Sequence, residues 1–130
     1  MYKFIEELKH NGALVDEKIF KDMRIRILNH INFDKNVIMS VQASMQHYCI
    51  PKQTTNLENY KKMELSFIRN DVFTKFENIT NNKELANKLK KYELEEIYAY
   101  VPCELIEEIY QQLILEFRNQ NFNKHDGRKI

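Results

Sequence analysis

The sequence predicts an α+β domain: a mostly antiparallel sheet of about four strands, a long C-terminal helix packed on one face, and a short N-terminal helix. Two alternating runs and one striped run carry that prediction. Val37–Tyr48 alternates, with Val37, Met39, Val41 and Ala43 on one side and Ser40, Gln42, Ser44 and Gln46 on the other. A strand sends successive side chains to opposite faces, so this run has one apolar and one hydrogen-bonding face. Tyr60–Arg69 repeats the pattern, with Met63, Leu65 and Phe67 against Lys62, Glu64 and Ser66. The polar connection between the two holds Pro51 and Asn56 and suits a long hairpin loop. The striped run aligns Leu105, Ile109, Leu113 and Phe117 on one helical face, with Ile106, Tyr110 and Ile114 beside them. A stripe that wide belongs to a helix lying over a sheet.

Taken in order, Tyr2–His10 sets Phe4, Ile5 and Leu8 at helical spacing, and Asn11-Gly12 supplies the stop. So short an amphipathic helix must dock on something, and a neighbouring subunit is one option. Asp16 can cap a further short turn through Lys21. From Met23 the chain alternates again, Met23, Ile25 and Ile27 against Arg24, Arg26 and Leu28, which reads as a strand with two arginines on its polar face. Asn32–Asn36 supplies turn residues before the central strand. Asn70-Asp71 marks the next turn, and Val72–Ile79 is ambiguous between strand and helix. Glu84–Tyr92 reads as a helix with Leu85 and Leu89 inward. Ile97, Ala99 and Val101 alternate with Tyr98 and Tyr100 as a short strand, ended by Pro102, which suits the first turn of the last helix.

At 130 residues the chain can bury one sizeable core, so residues 1–130 are read as a single domain. Residues 1–21 form an N-terminal helical extension of it, and 120–130 a loose polar tail. The formal net charge is +1 without a basic stripe, which argues against a nucleic-acid polymer as partner. No apolar run approaches the roughly 20 residues of a membrane helix, so no membrane is expected either. Glu6, Glu7 and Lys9 interrupt the first apolar pattern, unlike a signal peptide. Cys49 and Cys103 fit free thiols of a cytoplasmic protein better than a disulfide. Gly12 and Gly127 are the only glycines, and neither lies in a phosphate loop, which sets aside Rossmann and P-loop readings.

The polar sheet face is the first candidate for chemistry. Neighbouring strands would bring Arg24 and Arg26 beside Ser40, Gln42, Ser44 and Gln46, with Glu64 and Ser66 nearby. Arginine forks suit phosphate, while amides and hydroxyls suit ribose or base edges; the plainer alternative is a solvated outer face. Gln46-His47-Tyr48-Cys49 ends the strand. Its histidine and thiol evoke a nucleophile with its base, but no oxyanion hole or orienting group accompanies them, so packing or ligand contact is the expectation. Tyr98 and Tyr100 can stack on a base or form a subunit contact, with core or rim packing the more usual fate of such residues. Arg69 is a further strand-borne cation. Arg118, Lys124, Arg128 and Lys129 read as a solvated helix end, and Glu95–Glu96 and Glu107–Glu108 as exposed faces. His10, His30, His47 and His125 are scattered, so no metal or cofactor is expected.

The segments SVQASMQHYCIPK, NYKKMELSFI and IYAYVPCELIEEIYQQL resemble the layout of one phage family, the Thoeris anti-defence sponges of the first type. The likeness rests on Ser40–Ser44, on His47-Tyr48 before Pro51, on Tyr60 with Glu64, and on Tyr98, Tyr100 and Pro102 leading into a closing helix. It spans Met23–Leu115. It implies a non-enzymatic protein, in the host cell cytoplasm, that sequesters cyclic ADP-ribose isomers without degrading them. Some family members also capture cyclic oligonucleotides, and members assemble into dimers or higher oligomers with ligand sites between subunits. The family's contact residues are not carried over. Arg24, Arg26, Gln42, Ser44, Gln46, His47, Tyr48, Arg69, Tyr98 and Tyr100 are the ligand candidates on chemical grounds, and Arg26→Ala is expected to weaken binding without unfolding. Two other classes stay open: a phage inhibitor or adaptor that contacts a host protein, and a small nucleotide hydrolase.

Overall fold

The computed structural model describes residues 1–15 and 25–118. Helix α1 spans Lys3–Asn11 and stops where Gly12, at φ +74°, donates its N–H to Leu8 O. Strands β1 (Ala13–Val15) and β2 (Ile27–Leu28) pair as a separate two-stranded ribbon. The main sheet holds β3 (Ile31–Asn32), β4 (Val37–Gln42), β5 (Lys62–Arg69), β6 (Val72–Phe73), β7 (Glu93–Leu94) and β8 (Ile97–Pro102). Its order is β3-β4-β5-β8-β7, with β6 beside the far half of β5, and each pairing is antiparallel. Helix α2 (Lys83–Lys90) is capped by Asn82, whose side chain accepts from Leu85 N. Helix α3 (Cys103–Leu113) closes the fold and runs into a wider turn over Ile114–Arg118.

The α+β class, the antiparallel sheet and the C-terminal helix are as the sequence predicts. The sheet has six strands, however, where about four are expected. Of the expected strands, β4, β5 and β8 lie in this sheet while β2 joins the separate ribbon; the unexpected β3, β6 and β7 are two residues each, too short for an alternation to register. The central strand also ends at Gln42 and not at Tyr48. Beyond it the Ser44 hydroxyl accepts from Gln46 N at 3.2 Å and His47 N donates to Ser44 O, so local bonds replace the ladder. The ambiguous Val72–Ile79 resolves into β6 followed by a 3₁₀ turn at Phe76–Asn78. Of the Met23–Leu28 strand, β2 is the part seen; Met23 and Arg24 lie outside the described residues, as do the whole Asp16–Lys21 turn and the 120–130 tail.

Periodicity builds the core. Val37, Met39, Val41 and Ala43 of β4 and its exit share one sheet face with Met63, Leu65 and Phe67 of β5, and all are buried. Ile106, Ile109 and Leu113 of α3 join the same cluster, which also takes in Phe4, Ile5 and Leu8 of α1. Each such side chain contributes on the order of 1.5–3 kcal/mol by leaving water. The first helix therefore docks on its own chain and completes the core. Phe4 N donates to Glu107 on α3, and the Arg118 guanidinium grips Glu7 bidentately at 2.8 and 2.5 Å. No helix among the described residues is long and apolar enough to cross a membrane.

The opposite sheet face is not the solvated surface its composition permits. Ser40 and Ser66 face each other across β4 and β5, and both are buried, as is Gln42. The Gln42 side-chain amide pairs with the Leu28 peptide, accepting from its N–H at 2.8 Å and donating to its carbonyl at 3.0 Å. A side chain thus extends the sheet where a strand would otherwise lie, and β2 covers the face.

Candidate functional site

The sequence-predicted residues divide by position. Gln42, Ser44, Gln46, His47 and Tyr48 converge with Arg26 and Tyr100 where β4 ends and β8 bends. Arg69 sits at the other end of the sheet: it pairs with Val37, whereas Glu64 pairs with Gln42, five residues and roughly 17 Å along the strand. There it donates to Asn78 O. Tyr98 is buried, stacks edge-on against Phe67, and accepts Phe76 N on its hydroxyl, so it is a core residue. Arg24 lies outside the described residues.

Arg26 is the centre of the cluster, in an unexpected capacity. Its guanidinium donates to Ala43 O (2.9 Å), Thr55 O (2.8 Å) and the Tyr60 hydroxyl (3.3 Å), and it lies 5.9 Å from the Tyr60 ring. These acceptors belong to both arms of the loop between β4 and β5, so one arginine pins the loop's course. The Tyr60 hydroxyl continues the network, donating to Gln53 O and accepting Thr55 N. Nε of Arg26 is buried without a partner, and among the described residues no carboxylate pairs with this cation.

Above it the loop folds on itself. The Ser44 hydroxyl lies 2.7 Å from His47 Nδ1, Cys49 Sγ points to Ser44 O, and Tyr48 N donates to Glu64. Burial lowers the His47 pKa; Arg26 and Lys52 lower it further, against an opposing pull from Glu64. Burial likewise pushes the Cys49 thiol up, away from thiolate character. The Ser–His pair has the spacing of a nucleophile and its base, but the Ser44 side chain is fully buried and its oxygen is already engaged by Gln46 N. It orients the imidazole and offers no attacking group to a substrate. No group of three metal-ligating side chains exists among the described residues.

The outermost layer is aromatic. Between Met63↔Val101 and Leu65↔Tyr98 the β5–β8 register slips, and Tyr100 takes φ +55° in that irregularity. Left-handed backbone is uncommon for a residue with a bulky side chain, and bulges of this kind re-aim a side chain out of the ladder. Tyr100 N donates to Tyr48 O, and the rings meet edge to face at 5.7 Å. Both rings stay accessible, at 37% for Tyr100 and 39% for Tyr48, and Lys52 Nζ lies 5.4 Å from the Tyr48 ring. Lys52, Tyr60 and the bulge are absent from the sequence-based candidates. Tyr60 had a visible signal, an aromatic at the strand start, but neither Lys52 nor the bulge has one.

The rim is open. Two grooves lie elsewhere, one of about 510 Å³ beside Asn11, Leu28 and Asn32, the other of about 550 Å³ between Tyr2, Ile5 and Tyr60. Compared with protein-family models, curated proteins and solved structures, the chain matches none.

Proposed function

We propose that this chain is a non-catalytic binding protein that captures a cyclic nucleotide signal, of the cyclic ADP-ribose-isomer or cyclic oligonucleotide class, on the Tyr48–Tyr100 rim. The observation that supports this reading most is the accessible tyrosine pair, held in place by a bulge at the loop that Arg26 pins, a cation with no carboxylate partner among the described residues. A purine stacks on a tyrosine face or edge, and the field of Arg26 and Lys52 favours a phosphate nearby. Gln46 and His47 stand at the same edge as hydrogen-bonding groups. Because the rim is shallow on one chain, a second copy would complete the site, which makes a homo-oligomer part of the proposal. The phage anti-defence role follows from the resemblance in the sequence and belongs to the same proposal.

The test is thermal melting of the purified protein against a panel of cyclic ADP-ribose isomers and cyclic oligonucleotides, with chromatography of ligand released by heat. A rise of several degrees with intact ligand recovered supports capture, since binding the native state alone raises stability. A rise with altered ligand indicates an enzyme. No rise across the panel overturns the reading. A second reading, a protein-binding face, draws on exposed Met45, Tyr48, Ile50 and Tyr100. It predicts no small-molecule shift, and loss of partner capture when Tyr48 and Ile50 become polar.

A further inference from the structure

We propose that His47 is a proton-operated latch on the Ala43–Pro51 loop: protonating its ring breaks the Ser44–His47 hydrogen bond and loosens Tyr48 from Tyr100. The latch itself stands on the loop's geometry, while its effect on ligand capture rests on the nucleotide reading of the rim.

The hydrogen-bond inventory forces the chemistry. Ser44 Oγ accepts Gln46 N at 3.2 Å, and His47 Nδ1, at 2.7 Å, is the one acceptor for the serine proton among its described partners, which assigns that proton to the Ser44–His47 contact. Nδ1 is then an acceptor, and the neutral ring carries its proton on Nε2. A second proton would sit on Nδ1 and turn that contact into donor against donor. If Ser44 instead accepted from the imidazolium, its own proton would lack an acceptor among its described partners inside a fully buried side chain. Such an orphan is costly.

The surrounding charges act the same way. Arg26 and Lys52 repel an imidazolium, Glu64 attracts it, and the buried Cys49 thiol is uncharged. Glu64 is also committed to Tyr48 N, so turning toward the imidazolium would release the residue it holds. Both routes by which the fold could accommodate the proton loosen the same segment. That segment is short and is closed by a few local bonds: His47 N to Ser44 O, Cys49 N to His47 O, and Cys49 Sγ to Ser44 O.

Two measurements on the unliganded full chain test the latch. The first is amide hydrogen exchange at Gln46, Tyr48 and Cys49 from pH 7.5 to 5, corrected for intrinsic rates, in wild type and His47→Gln. The second is the ring titration of His47 in wild type by NMR. The expected result is a tenfold or greater fall in protection that tracks the ring's titration and is flat with pH in His47→Gln. Protection that stays constant while the ring titrates overturns the latch. So does the same pH-dependent loss in His47→Gln, which would assign it to Glu64. Should His47→Gln not fold, agreement or disagreement between the wild-type ring midpoint and the wild-type protection curve still decides. Ligand affinity measured at pH 7.5 and 5.5 is a separate readout: acid opening of the loop at unchanged affinity leaves the latch standing and removes the rim from the binding site.

Discussion

Two arginines organise this molecule, and they do so under opposite electrostatic conditions. Arg118 ends the C-terminal helical segment and meets Glu7 of α1 bidentately, while Nε and Nη2 reach Asn32 O. The Tyr110 hydroxyl donates to the same carboxylate at 2.6 Å. Burial pulls Glu7 upward, but its bonds to Arg118 and Tyr110 outweigh that and hold it below the usual carboxylate range. Burial and the same carboxylate push Tyr110 up to about 12. Charge is matched, every partner is spent, and the cluster joins the first and last helices. Arg26 likewise joins distant segments, but through neutral carbonyls and a phenol, so among the described residues its charge is unmatched in the neighbourhood of His47. A matched arginine closes a fold. An unmatched one also leaves a field for something else to answer, and this asymmetry is why the rim is the better place to seek a ligand.

The contrast is breakable by paired substitutions. Arg26→Ala has the larger expected effect on stability, about 2–3 kcal/mol, because it takes the donors from Ala43 O and Thr55 O in a part-buried setting and removes the packing on Tyr60. Relief from a partly desolvated cation with no carboxylate partner among the described residues offsets part of that loss. The substitution that sequence alone offers as a clean binding variant is therefore a folding variant too, and affinity must be measured below its melting temperature. Arg118→Ala is expected to cost about 1–2 kcal/mol, since its side chain is 32% exposed and water can take over part of its role. Urea titrations followed by circular dichroism compare the two. An Arg118 loss exceeding the Arg26 loss would invert the ranking and make the matched pair the dominant tie.

Acid separates the clusters next. A carboxyl held below its ordinary value stabilises the fold above that value, near 4.5 for Glu7, and the contribution is lost as pH falls through the lowered folded-state pKa. His47, also lowered, contributes stability above its ordinary 6.5 that is lost as pH falls from there through its folded-state pKa. The loop should thus weaken in mild acid while the α1–α3 contact persists to stronger acid. Residue-resolved exchange between pH 7 and 3 checks this. Simultaneous loss of both would show a single cooperative unit and erase the distinction.

How much of this was legible beforehand depends on the range over which each feature is encoded. β4, β5 and α3 announce themselves because six or more residues repeat one period. The two-residue strands have no period to show. The face bearing Ser40, Gln42 and Ser66 was correctly singled out as hydrogen-bonding, yet composition does not say what lies over it. The answer, the Leu28 peptide against Gln42, is a contact between segments 14 residues apart. Arg26 was legible as a cation on that face. That loop carbonyls would use up its donors depends on the path of the loop, which no local pattern records. Arg69 is different: its five-residue separation from Glu64 along one strand was readable, and that spacing alone places it far from Ser44 and His47.

The smallest expected stability change makes the sharpest functional test. Tyr100→Gly removes a left-handed strain of about 1 kcal/mol, gives back a similar amount through the freer unfolded glycine, and loses the ring contact with Tyr48, worth about 0.5–1.5 kcal/mol. The first two cancel, so the net loss is expected to be about 0.5–1.5 kcal/mol, with the bulge intact because glycine adopts φ +55° freely. Base–aromatic stacking is worth about 1–3 kcal/mol, so under the proposed capture of a cyclic nucleotide the affinity for it should fall roughly tenfold or more. Calorimetric titration of that ligand, beside a urea curve for the same preparation, reads both quantities. Retained affinity would mean that the bulge serves only to seat β8 against β5, and the search would move to the Lys52 and Gln46 side of the rim. Lost affinity at so small a stability loss would separate the rim from the arginine that pins its loop, which no substitution of Arg26 can do.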